Sequence, residues 1–542
     1  MSAVELDEEI DEVEDEDAPL LDESGRRDNV WAEEAASWGR LRGPTSPWRV
    51  VEAKPWQARS GSTIVLLAAT VKFCITASGM LMLIPLYRLI EDAVCHAYYD
   101  DSSPELMDER RCKGDEVQSR LAYLLGWLGL FNSMMTAALL VAYPYGLLAD
   151  RLGRKPTAVL AYLGLATSFA FSPLMFSLWR TQVRENPYLL MTASLFLLLG
   201  GGVPVLLATL YAMAADVSAD EQKPPPVFPP RRAASFLYLT FGATAGGLVG
   251  PLLAGLLMER HGPWVPIYVV MAVTPFMLCI FFFIPETLPT RSKLDRPLDD
   301  WRSAVADGLG DLVRSLGMMR NVNIPLILVT FLFQSARFTA YTSTLVQYVS
   351  KHFGWTLAET SLLLSPLGIL NLVVLVALPK LSRVLMSPRF RFTVFGKDLF
   401  LTQVSTLIII VGALIEAFSR HVGIFLFGLF IGTFGAADSP LARATVSHHV
   451  DGRHTSRLYA LIGIVEVLGG FVGGPALAWF FDQGLRRKGL YTGLPWLYVA
   501  SLCSVALAAL FFVQPPRKST EDAAFEQGDE LDRSAEHDWH AE

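Results

Sequence analysis

Charge is scarce in this sequence. Only 18% of its 542 residues are Asp, Glu, Lys or Arg, where a soluble domain carries about 25%, and 52% are hydrophobic, with a mean hydropathy of +0.37. The charge that is present does not form the basic face that nucleic acid requires. The net charge is −8, and the acidic excess sits in the two tails, 5–22 and 521–542, and in one loop. Nucleic acid is therefore excluded as a partner. Cysteine is sparse too, at five residues, and Cys74, Cys279 and Cys503 lie in apolar runs where they read as small core residues. There is no Walker A sequence, no H-E-x-x-H and no G-x-S-x-G. His448, His449 and His454 cluster without a cysteine at zinc spacing. These absences argue against an enzyme, a metal centre and a bound cofactor. A signal peptide is missing as well, because the first residues are acidic, so the first apolar segment is expected to direct insertion.

Long apolar segments are what the chain has in quantity. A hydrocarbon core about 30 Å thick needs about 20 such residues in a helix. Twelve segments qualify: 62–90, 119–147, 156–179, 188–216, 233–257, 264–284, 324–348, 358–384, 399–418, 421–447, 456–480 and 493–514. The polar connection 285–323 divides them six and six. The expected fold is an all-α membrane protein with twelve transmembrane helices in two six-helix halves, 62–284 and 324–514. An acidic, disordered tail (1–61) precedes them and a second acidic tail (515–542) follows. Within the connection, Trp301, Val305, Leu309, Leu312, Val313 and Leu316 recur at three- and four-residue spacing, the pattern of an amphipathic helix on the membrane surface. Pro224-Pro225-Pro226, with Pro229 and Pro230, marks a stiff loop.

Between the second and third segments stands Gly146-Leu147-Leu148-Ala149-Asp150-Arg151-Leu152-Gly153-Arg154-Lys155-Pro156. Lys and Arg collect on the loops of this side, which the positive-inside rule places in the cytoplasm with both termini; Arg486, Arg487 and Lys488 run against the trend. Gly146 permits close helix packing, and Gly153 can take the positive φ of a tight turn. Asp150 can accept from Arg154 or sit at a helix N-terminus. The spelling G-x-L-A-D-R-x-G-R-K resembles the turn between helices two and three of the major facilitator superfamily, and the chain resembles its fungal efflux-type members. That resemblance implies a secondary transporter whose halves rock around a central site. It also implies that Gly146, Asp150, Arg151, Gly153, Arg154 and Lys155 form a cytoplasmic latch with an acid ending helix four, for which Asp216 is the match. The alternative is a topology signal without gating.

Among the charges within the spans, four lie well away from the span ends: Lys72, Arg337, Asp438 and Glu466. Each costs about 2.5–3.5 kcal/mol at a helix centre on insertion scales. The resemblance puts helices one, four, seven and ten around the central cavity, and three of the four charges fall on these. Lys72 and Arg337 are then expected to face each other and hold an anionic or polar substrate group, with Asp438 or Glu466 carrying a coupling proton. The alternative is a set of ion pairs that hold helices together. Gly246, Gly250, Pro251 and Gly255 resemble the G-x-x-x-G-P-x-x-G-G element of drug antiporters, with Ala254 at one glycine place; small residues allow close contact and Pro251 predicts a bend. Gly200-Gly201-Gly202 with Pro204 could serve similarly. The antiporter pattern R-x-x-Q-G on helix four is absent, since Phe196 and Leu199 occupy the Arg and Gln places. The run from Tyr211 through Val217, with an acidic cysteine-bearing first loop, is similar to proton-coupled folate transporter-like members.

Cys95 and Cys112 share the polar loop 91–118 on the non-cytoplasmic side, where a disulfide persists; a bridge is expected, two free thiols being the alternative. Glu16, Leu20 and Leu21 resemble an acidic dileucine signal that engages a sorting adaptor, the alternative being a solvated acidic tail. Three functions stay open for a multi-pass protein of the plasma or vacuolar membrane that binds a small molecule. They are proton-coupled efflux of a toxin or secondary metabolite, proton-coupled import or vacuolar transport of a polar or anionic solute, and sensing without transport.

Overall fold

In lipid a chain must satisfy its backbone polar groups internally, and the apolar segments do so as helices. The computed structural model describes residues 53–101, 103–142, 153–217, 231–287, 316–387, 392–450 and 455–516. The helices are α1 (Gly61–Tyr99), α2 (Asp115–Ala142), α3 (Arg154–Leu178), α4 (Pro187–Val217), α5 (Arg231–His261) and α6 (Trp264–Phe283), then α7 (Asn323–Phe353), α8 (Leu357–Leu385), α9 (Val394–Phe418), α10 (Val422–Ser447), α11 (Thr455–Arg487) and α12 (Leu494–Phe511). Among the described residues there is no strand, and eleven helices are long and apolar enough to cross a membrane; α2 supplies the twelfth position. Gly146, Asp150, Arg151, the Glu16–Leu20–Leu21 signal and most of the expected amphipathic helix lie outside the described residues.

The first departure from hydropathy is in α1, which continues to Tyr99 instead of ending near residue 90. Its last turns carry Glu91, Asp92 and His96, all buried, because each finds a partner. Glu91 Oε1 accepts from Lys113 Nζ at 2.6 Å and Gln118 Nε2 at 2.7 Å. Asp92 Oδ2 pairs with Arg184 Nη2 at 3.0 Å. Charges that a hydropathy scan reads as a loop are here the packed end of a helix. Cys95 therefore lies on α1, joined by a disulfide to Cys112, with Cα atoms 5.5 Å apart. The bridge closes a stretch of 17 residues, for which chain entropy predicts about 3 kcal/mol of stabilisation. Replacing both cysteines by serine is expected to lower the thermal midpoint in detergent; mass spectrometry of unreduced peptides should recover the linked pair.

Three spans are interrupted. α4 is a 3-10 helix to Leu199 and an α-helix from Gly202, with Gly201 and Gly202 at φ +80° and +66°. Gly200 lies so close to α3 that a Cβ would collide with its backbone. α7 contains a π-turn at Ala340–Thr344, and α10 breaks between Thr433 and Asp438. α5, by contrast, runs through Pro251 as one helix. Its glycines seat it on neighbours: a Cβ at Gly246 would lie 2.5 Å from the Phe73 carbonyl oxygen of α1, and one at Gly255 2.6 Å from Leu362 of α8.

The first six helices meet the last six chiefly through α2 against α11 and α5 against α8. Gly126 and Gly474 face each other at the first crossing, where a Cβ on Gly126 would stand 3.0 Å from Ala478 Cβ. Polar contacts across this seam gather toward the face opposite the α2–α3 turn. Gln347 donates to the Gln118 carbonyl at 2.8 Å, Ser119 Oγ to Asp482 at 2.5 Å, and Lys351 pairs with Asp115 at 2.6 Å. Glu109, on the disulfide-closed loop, accepts from the Leu357 N–H at 2.9 Å, capping the start of α8 where a helix favours an anion. These contacts join the two sets of helices on that face.

Candidate functional site

The break in α10 restarts the helix at Asp438, placing its carboxylate in a first turn, where free N–H groups favour negative charge. Asp438 is fully buried. Its Oδ2 is 2.8 Å from Arg337 Nη1 of α7, and its Oδ1 accepts from Thr406 Oγ1 of α9 at 2.7 Å. One carboxylate thereby ties three helices together. Lys72 donates to the Tyr211 hydroxyl at 2.5 Å and lies 4.3 Å from that ring's centroid. Glu466 of α11 pairs with Arg443 of α10 at 2.5 Å and Arg443 also covers the Phe331 ring.

Every intramembrane charge singled out in the sequence thus has a partner. Lys72 lies on α1 and Arg337 on α7, and each is held by its own partner, Tyr211 and Asp438. Arg443 lies on α10, within the part that follows its break. Tyr211, Arg443 and Thr406 are the partners that sequence reasoning did not assign.

Arg337 has a second surface. It lines a cavity of about 450 Å³ between α7, α8, α9 and α10, together with Gln334, Tyr341 and Asn371 and apolar side chains such as Leu367 and Leu429. The π-turn begins three residues after Arg337, in keeping with the way such turns re-aim side chains at functional sites, and Tyr341 on it faces the cavity. Gln334 Oε1 and Asn371 Oδ1 are buried and accept no hydrogen bond. Behind the cavity wall, Glu416 of α9 is fully buried, 3.5 Å from the Tyr341 hydroxyl. Among the described residues, no group of three or more His, Cys, Asp or Glu side chains could hold a metal ion.

At the α2–α3 turn, Gly153 has φ +115° and ψ 159°. Arg154 Nε is 3.4 Å from Asp216 Oδ2, which also accepts from Thr287 Oγ1 at 3.2 Å. Glu286, following α6, caps α3: its two carboxylate oxygens accept from the Arg154 and Lys155 N–H groups at 2.9 and 3.2 Å. Asp216 was legible from the motif; Glu286 was not, because its Pro-Glu-Thr setting carries no spacing signal.

Residues 121–401 match the family model of the Major Facilitator Superfamily. The chain belongs to this superfamily. Full-length relatives agree. The MFS efflux pump atnC of Emericella nidulans is 28% identical over 88% of this chain and 92% of its own length. The efflux pump ustT of Aspergillus flavus is 25% identical over 82% and 87%. Among solved structures, a D-xylose-proton symporter superposes with a TM-score of 0.57 at 14% identity, over 85% of this chain and 99% of that one. The human organic anion transporter MFSD10 superposes with a TM-score of 0.52 at 18% identity, over 85% and 100%. At such identities these two matches establish the superfamily fold and nothing finer. As a superfamily member the protein is a multi-pass membrane transporter of a small molecule, with the bilayer as its solvent, and not an enzyme.

Proposed function

We propose that the protein exports a small organic compound, such as a toxin or secondary metabolite, in exchange for protons by alternating access. The observation that carries this reading is the cavity. Its walls are mostly apolar, with a few convergent polar groups, the character of a site for a drug-sized organic molecule. The fungal relatives named as efflux pumps support the direction. With the α2–α3 turn cytoplasmic, the contacts that join the helices on the opposite face leave the loading side toward the cytoplasm. The turn residues, with Arg154 already on Asp216, act as one part of a latch that closes the other side in turn. The membrane is the plasma or vacuolar membrane; Leu20→Ala with Leu21→Ala is expected to relocate a tagged protein if the dileucine signal engages an adaptor.

Arg337 in the same cavity favours a second reading. A proton on Asp438 would release Arg337 to an anionic group, so that proton and solute bind together and move inward. Inside-out vesicles separate the two. An acid interior should drive uptake of the compound under exchange and its loss under symport; a sensor would show neither.

Gln334→Leu and Asn371→Leu are each expected to raise KM about tenfold, about 1.4 kcal/mol, with little change in maximal rate. Thermal stability should hold or rise, because the buried acceptors they remove have no partner. A fall in stability with unchanged KM would take both residues out of the binding site.

A further inference from the structure

Among the carboxylates buried between helices, Glu416 differs from Asp438 and Glu466. Both of those have an arginine. Glu416 is fully buried, forms no ion pair among the described residues, and has one oxygen, Oε2, with no hydrogen-bond partner. Its place has been cleared for it. A Cβ on Gly428 of α10 would stand 3.0 Å from Glu416 Cγ, and Gly412 of α9 packs on Gly432 so closely that a Cβ there would lie 2.7 Å from the Gly432 backbone. The slot opens toward Tyr341, whose hydroxyl is 3.5 Å from Glu416 Oε1. Tyr341 and Gly432 also line the cavity, so a single phenol separates the acid from the substrate space.

We propose that Glu416 binds the exchanged proton and that Tyr341 transmits its state to the cavity by reversing its hydrogen bond. A tyrosine hydroxyl has one proton and accepts through its lone pairs. When Glu416 is ionised, Tyr341 donates to the carboxylate, and its oxygen turns lone pairs to the cavity beside Gln334 Oε1 and Asn371 Oδ1. All three are then acceptors. A proton arriving from water on the opposite face forms the Glu416 O–H bond; the Tyr341 O–H···O⁻ contact is replaced by Glu416 O–H···O of Tyr341, and the phenol proton swings toward the cavity. No other bond forms or breaks, and release reverses the steps. At Tyr341 the cavity wall therefore accepts a hydrogen bond when the proton is absent and donates one when it is present, while the Arg337 guanidinium of the same wall donates in both states. The compound this favours has an apolar body carrying hydroxyl or N–H donors, and proton binding expels it. Proton and compound exclude each other, as exchange requires. The inference rests on the exchange reading above and names its proton site and substrate class.

The groups facing Glu416 are few. α7 contributes Tyr341 and Tyr348; α10 presents Gly428 and Gly432; the segment before α12 packs Gly493 against Ala417. Arg337 and Cys503 lie beyond Tyr341.

Difference infrared spectroscopy of the full-length protein across a pH step tests this with no ligand. A protonated-carboxyl band and a tyrosine C–OH band should change together. Both changes should vanish in Glu416→Gln, while Glu416→Asp should restore a carboxyl band. In Tyr341→Phe the carboxyl band should persist, displaced, without the tyrosine change. Survival of the carboxyl band in Glu416→Gln, or a tyrosine band indifferent to pH in the unaltered protein, would overturn the proposal. Monodispersity on size-exclusion chromatography keeps a folding defect from imitating loss. The exchange reading fails separately: both bands behaving as expected, in a protein whose vesicles ignore a pH gradient, would keep the proton site and remove exchange.

Discussion

Asp438→Ala is expected to be among the most damaging single changes in this protein. It leaves the Arg337 guanidinium between helices without its counter-charge and Thr406 Oγ1 without its acceptor. Removing one partner of a buried pair costs about 3–5 kcal/mol. The arginine side chain is 17% exposed and borders the cavity, which brings the expected loss to the lower end of that range. Against a total stability of about 5–15 kcal/mol this is severe. Asp438→Asn, which keeps shape and the Thr406 contact, should lose less. The decisive variant combines Arg337→Met with Asp438→Leu. Replacing a whole buried pair by apolar groups is often neutral for stability, so the thermal midpoint should recover most of its value while transport stays abolished. Full transport by the double variant would reduce the pair to a clamp between α7 and α10. An Asp438→Ala protein of normal stability would show that Arg337 finds another partner.

The second large effect is expected at Gly153. Its backbone, at φ +115° and ψ 159°, lies in a region essentially reserved for glycine, where another residue costs about 1–3 kcal/mol. A Cβ there would also collide with the Glu286 carboxylate and dislodge it from the start of α3. Loss of a helix cap adds about 1 kcal/mol. Gly153→Ala should therefore lower the transport rate at least tenfold while leaving KM nearly unchanged, since the cavity lies on other helices. Adding Glu286→Ala removes the collision and leaves the backbone strain, so part of the rate should return. A change in KM with an unaltered rate would place the turn's influence at the binding site instead of in the conformational cycle.

The candidate site was half legible. Lys72, Arg337, Asp438 and Glu466 stand out in any reading because a charge in an apolar span is conspicuous. Their partners do not. Tyr211 is an ordinary aromatic in an apolar run, and Thr406 an ordinary small polar residue. Glu416 lies two residues from the end of the span 399–418, where an acid ordinarily faces headgroups; the glycines of α9 and α10 bury it instead. Gln334 and Asn371 are uncharged and give no signal until the helices enclose a cavity around them.

By itself the sequence determined the number and rough extent of the spans, the place of the α2–α3 turn and the superfamily. Those properties follow from length, hydropathy and local spelling, which neighbouring residues carry. The tertiary structure alone decided which charges meet, where α4 and α10 break, and that α1 continues through Glu91, Asp92 and His96. A charge is tolerable between helices only beside its partner, and Arg184 lies 92 residues from Asp92 along the chain. No window on the sequence spans that distance; the packed helices do.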